Sequence, residues 1–107
     1  MIVICAGGGG VPVRIDDRGQ LAGVEAVVDE AHTTALLAKE IGADTIIFVS
    51  PWEKIERTFK GSTLEGLTCL PLSTLNRMVE QYPHTGGSIR AKLLASQKFL
   101  QSGGQSV

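Results

Sequence analysis

Met1-Ile2-Val3-Ile4-Cys5-Ala6-Gly7-Gly8-Gly9-Gly10-Val11-Pro12-Val13 is the stretch from which the rest of the chain is read. A short apolar run that ends in glycine predicts a buried strand feeding a tight loop. Four glycines in a row remove every Cβ from that loop, so its N–H groups can approach a ligand closely and take up positive φ without strain. That makes Gly7, Gly8, Gly9 and Gly10 either a cradle for an anion such as phosphate or simply a flexible turn. The residues after the glycines exclude two better-known phosphate loops. A P-loop needs Gly-Lys-Ser/Thr entering a helix, and a dinucleotide fingerprint also runs straight into one. Here Pro12, between two valines, keeps the chain extended.

Beyond Pro12 the segment from Val13 to Leu21 alternates and turns at Asp17-Arg18-Gly19, which predicts a β-hairpin arm over 11–28 with a return limb at Ala22 to Val28. Asp29 stands where an N-cap belongs, ahead of Ala31, Thr34, Ala35, Leu37, Ala38 and Ile41 at helical spacing, and Gly42 supplies a stop. This predicts a helix over about 30–41. Thr45-Ile46-Ile47-Phe48-Val49 then reads as a strand covered on both faces. Strand, helix, strand makes a right-handed βαβ unit, with Ile2 to Ala6 and Thr45 to Val49 expected as parallel neighbours. Ligands gather at the carboxyl ends of such strands, so Gly7 to Gly10 and Ser50 to Glu53 are expected to border one crevice.

From Lys54 to Leu72 the pattern predicts an irregular connection with a short strand at Leu67 to Leu70. Ser73 is expected to cap a helix over 73–82 that buries Leu75, Met78, Val79 and Tyr82 and is closed by Pro83. Gly86-Gly87-Ser88 opens a last helix, 88–101, with Ile89, Leu93, Leu94, Phe99 and Leu100 inward and Gly103-Gly104 at its end. Ser88 as N-cap exposes a helix N-terminus that favours negative charge, and Lys92 one turn inside adds a positive charge there or is a plain surface lysine.

Composition narrows the function classes. Across 107 residues, 43% are hydrophobic, and ten basic residues are mixed with eleven acidic ones, so there is one domain at most and no basic stripe for nucleic acid or an anionic membrane. The two cysteines, Cys5 and Cys69, show neither metal spacing nor a disulfide framework. No leader and no transmembrane run are read from the sequence, which predicts a soluble, cytoplasmic protein.

Taken together, Gly-Gly-Gly-Gly-Val-Pro-Val at 7–13, Gly-Val-Glu-Ala-Val-Val-Asp at 23–29, Ala-Leu-Leu-Ala at 35–38, Gly-Ala-Asp at 42–44 and Gly-Ser-x-x-x-Lys at 87–92 resemble carbamate kinase, of the amino-acid kinase family. The resemblance implies an α/β fold: a fragment of a three-layer sandwich with a mostly parallel sheet and a β-hairpin arm. It makes 1–107 a single partial domain, the nucleotide-binding lobe, with the amino-terminal half absent. It implies exchange of a phosphoryl group between ATP and carbamate, giving ADP and carbamoyl phosphate, with Mg²⁺. It further implies Lys92 as the catalytic lysine, Gly7 to Gly10, Asp29, Ser50, Gly87 and Ser88 around the nucleotide and its phosphates, and no metal-ligating residue. As partners it implies the nucleotide, with neither nucleic acid nor membrane, and either a second copy or a complementing amino-terminal chain. Three stretches depart from the family pattern. Asp29-Glu30-Ala31 replaces Asp-Lys-Asp, Ser50-Pro51 replaces Thr-Asp or Thr-Gly, and Ala91 replaces the proline before the lysine. An enzyme and a non-catalytic interaction module are therefore both open.

Overall fold

The computed structural model describes residues 1–49, 55–59, 62–67, 69–81 and 88–107. Its element order is β1 (Val13–Ile15), β2 (Leu21–Gly23), α1 (Glu30–Glu40), β3 (Ile55–Phe59), β4 (Ser62–Leu67), α2 (Leu72–Gln81) and α3 (Ser88–Gln101). Pro83, Gly86 and the predicted crevice residues Ser50 to Glu53 lie outside the described residues, as does Tyr82.

The hairpin arm forms where the sequence places it. β1 and β2 pair antiparallel with Ile15 opposite Leu21 and Val13 opposite Gly23. The turn is built by Asp16, whose Oδ1 accepts from the N–H groups of Arg18 at 2.9 Å and Gln20 at 2.8 Å. Gly19 takes φ +74°, a value that strains any residue with a Cβ. The return limb is shorter than predicted, ending at Gly23.

α1 begins after Asp29 and ends at Ile41, where Gly42 at φ +66° lets the chain leave the helix. Its inward residues are Ala31, Ala35 and Ala38, which pack with Ile46, Ala95 and Phe99 into the core. Small residues here let α1 and α3 approach closely, and theirs is the most extensive helix–helix contact among the described residues. α2 buries Leu75 and joins α3 through Gln97, whose Nε2 donates to Asn76 Oδ1 at 2.8 Å. Ser73 lies inside α2 rather than capping it, because the N–H groups of Thr74 and Leu75 already donate to the Pro71 carbonyl. Ser88 is likewise the first residue of α3.

The sheet departs most from expectation. Ile2 to Ala6 make no β pairing, and Thr45 to Val49 make one bridge, a parallel one to Ser106 near the end of the chain. Thr45 and Ser106 also join through their hydroxyls at 2.8 Å, and Ile46 N–H donates to Ser106 O at 3.1 Å. The predicted parallel pairing of Ile2–Ala6 with Thr45–Val49 is therefore absent. Nor is the second strand covered on both faces. Ile46 is buried and Phe48 packs against the core, whereas Ile47 and Val49 are 82% and 94% exposed. A strand reading as continuously apolar needs neighbours on both edges and a layer on each side; the described residues supply helices on one side only. Ile2 and Ile4, at 94% and 98% exposed, are bare for the same reason. Where an irregular connection was predicted, β3 and β4 instead form a second antiparallel hairpin, with Ile55 opposite Leu67 and a bulge between Ile55 and Arg57.

Candidate functional site

The glycine loop is folded against the start of α1. Ala6 takes a left-handed φ of 62°, and Gly9 N–H donates back to Ala6 O at 3.1 Å, closing a tight turn. Gly10 N–H donates to Gly8 O at 2.9 Å. Two of the four loop donors are thus used inside the loop, and those of Gly7 and Gly8 make no hydrogen bond with a described residue. Gly9 is buried at φ +75°, and a Cβ there would collide with the Val28 carbonyl oxygen and stand 3.1 Å from its carbon. Only glycine allows this contact, which brings the loop onto residues 28–30. Gly9→Ala should therefore move the loop off α1, at a cost of about 1–3 kcal/mol for the left-handed φ and the clash. The check is urea denaturation together with amide chemical shifts at Gly7 and Gly8; shifts unchanged from the parent would count against the packing.

Asp29 caps α1 as the sequence predicts. Its Oδ1 accepts from His32 N–H at 3.0 Å, and His32 Nδ1 lies at 3.0 Å from the same oxygen. The backbone N–H of His32, followed by the imidazole bond, holds the Asp29 carboxyl below the ordinary aspartate range. A carboxylate with a depressed folded pKa contributes stability above its unfolded value, and that contribution disappears as pH falls through the folded one. Asp29→Ala should cost about 1 kcal/mol at neutral pH. Thermal melts should show the gap between parent and variant closing below the ordinary aspartate pKa, and a gap independent of pH would rule out the charged cap.

Asp29 is thus brought beside the glycine loop, with its carboxylate already engaged by the cap. Lys92 lies in the first half of α3, half-buried, and its ammonium makes no hydrogen bond or ion pair with a described residue. Its neighbour Ala91 packs against the core that contains Ala31. No hydrogen bond or ion pair joins Lys92 to the glycine loop among the described residues, and Ser50 and Gly87 lie outside them. His32 was not singled out from the sequence, although an Asp followed three residues later by His at a helix start is the spacing that signals a capping partner. Among the described residues no three His, Cys, Asp or Glu side chains converge to hold a metal. Cys5 and Cys69 are free and exposed.

A carbamate kinase-like protein of Escherichia coli K12, YahI, is 38% identical over 106 residues, 99% of this chain and 34% of that protein. The carbamate kinase of Pyrococcus furiosus is 32% identical over 105 residues, 98% of this chain and 33% of its own length. The structure of a carbamate kinase from Giardia lamblia bound to citric acid superposes with a TM-score of 0.77 at 28% identity, over 99% of this chain and 32% of that one. Over nearly its whole length the chain is similar to carbamate kinases and carbamate kinase-like proteins. A crystal structure from Aeropyrum pernix K1 superposes with a TM-score of 0.81 at 29% identity, covering 94% of this chain and 32% of that one. No family profile matches. The chain shares the α/β fold of these structures, and it spans about a third of the length of the relatives it matches. Among the described residues no helix is long and apolar enough to cross a membrane.

Proposed function

We propose that this chain is the nucleotide-binding portion of a carbamate kinase-like phosphotransferase, a single partial domain that binds ATP or ADP and does not turn over by itself. The observation that carries the reading is the glycine loop packed through Gly9 onto the first turn of α1, with the Gly7 and Gly8 donors uncommitted. Phosphoryl transfer asks a protein mainly for positioning and for neutralisation of charge on the phosphates. In this reading Gly7 to Gly10, Gly87 and Ser88 offer backbone donors, Ser50 a hydroxyl, Asp29 the geometry of the helix start and Lys92 the positive charge. Carbamate is the acceptor in the whole enzyme, Mg²⁺ arrives with the nucleotide, and the cytoplasm is the compartment. Isothermal titration of the pure chain with ATP and ADP tests the reading: saturable binding that Gly9→Ala weakens supports it, and silence with both nucleotides sinks it.

A second reading, a non-catalytic module that pairs with another chain, is favoured by a separate observation. Ile2, Ile4, Ile47 and Val49 are all more than four-fifths exposed. Unpaired apolar segments of this kind invite association with a complementing amino-terminal chain or with a second copy. Sedimentation should therefore show association at high concentration, and a clean monomer there would count against it.

A further inference from the structure

We propose that the cleft between α1 and the carboxyl-terminal end of α3 binds a small amphipathic anion, an apolar body carrying one phosphate or carboxylate head. The cleft has a volume of about 370 Å³ and is lined by His32, Ala35, Leu36 and Lys39 on one side and Lys98, Phe99 and Ser102 on the other. That volume falls in the range of small-ligand sites, roughly 300–1,000 Å³.

Its chemistry is divided. Ala35 and Phe99 form a buried apolar floor, and Leu36, 62% exposed, is a large aliphatic side chain that the core does not use. Lys39 and Lys98 add two ammonium groups, and no acidic side chain lines the cleft. Neither lysine is paired with a carboxylate among the described residues, where the ion pair is Asp29 with His32. The same pair engages Nδ1 of His32. Ser102 Oγ donates to Phe99 O at 2.8 Å, which leaves its oxygen lone pairs rather than its proton.

Each lysine also sits in the last turn of its helix, where a cation complements the dipole. That role accounts for each charge singly. It does not account for two lysines from different helices, neither paired with a carboxylate among the described residues, lining one cleft with an apolar floor beside a bare leucine. None of the lining residues belongs to the glycine loop.

Phenyl phosphate is a suitable probe, titrated into the full isotope-labelled chain, with inorganic phosphate and phenol as controls. The expected result is saturable amide shifts at Leu36, Lys39, Lys98 and Ser102. Lys39→Ala and Lys98→Ala should each weaken binding about tenfold, as loss of a charge-assisted contact does. Leu36→Ser should weaken phenyl phosphate and leave inorganic phosphate unchanged. Circular dichroism checks that each variant is folded, and Lys39→Gln, which keeps the length of the side chain without its charge, replaces Lys39→Ala if the latter is not. Phenol binding as tightly as phenyl phosphate, shifts confined to Gly7 to Gly10, affinity unchanged in the lysine variants, or no shifts at millimolar probe would each overturn the proposal.

Discussion

Phe99→Ala should leave the chain largely unfolded near room temperature. Phe99 is 2% exposed and is the largest fully buried side chain. The residues around it are small: Ala31, Ala35, Ala38 and Ala95, with Ile46 the one other large member of the buried cluster. Alanines cannot swell to fill the space a lost phenyl ring leaves, so the cavity term adds fully to the transfer term, and the cost falls at about 3–5 kcal/mol. Gly104 lies so close to the ring that a Cβ there would overlap it, which shows that the chain after α3 is also laid over Phe99. Native domains have about 0.05–0.15 kcal/mol of stability per residue, so a 107-residue chain has little to spare. Removing the ring therefore takes most of the total. Thermal melts followed by circular dichroism should show a drop of more than about 12 °C. A melting temperature within a few degrees of the parent would mean that the fold is not organised around this side chain.

What the sequence revealed divides along the range of the interactions involved. The hairpin turn at Asp16 to Gly19, the Asp29 cap and the Gly42 stop are settled by hydrogen bonds and backbone preferences within a few residues, and all three are found. Strand pairing is not local. Ile2 to Ala6 and Thr45 to Val49 have the composition of buried strands, but composition names no neighbour, and Thr45 finds Ser106 instead. The same reason explains α3: Phe99 is buried as its spacing predicts, while Ile89 is 41% exposed and Leu93, Leu94 and Leu100 are half-buried, because α1 and α2 cover only part of the helix. The hairpin of β3 and β4 was illegible because β-branched and polar residues there follow no clean period of two. In the candidate site, the four glycines announced a close approach, and Gly9 against Val28 is one. That two of the loop's donors turn inward depends on Ala6 adopting a positive φ, which no alanine advertises.

The chain by itself should not make carbamoyl phosphate from ATP, even where it binds nucleotide. In the proposed arrangement the phosphate-facing set keeps the glycine loop and Lys92, but Glu30 and Ala31 stand where the resemblance puts a lysine and an aspartate. Glu30 is in the first turn of α1, the turn on which Gly9 rests. A carboxylate there suits the helix dipole but repels a polyphosphate held by the adjacent loop. Losing one preorganised charge stabiliser typically costs about two to three orders of magnitude in rate. Loss of the acceptor's positioning removes more, because effective molarities of about 10⁵–10⁸ M come from holding two reactants in line. The chain spans about a third of the length of the carbamate kinases it matches, and the proposed reading places the acceptor site outside it. A coupled assay on pure protein decides the matter: turnover should be at background, and robust turnover abolished by Lys92→Ala would overturn the reading. The double variant Glu30→Lys with Ala31→Asp separates the two losses. It should raise ATP affinity by returning a positive charge beside the loop, and it should leave turnover at background because nothing holds carbamate in line. Turnover restored by that variant alone would place the acceptor site within these 107 residues.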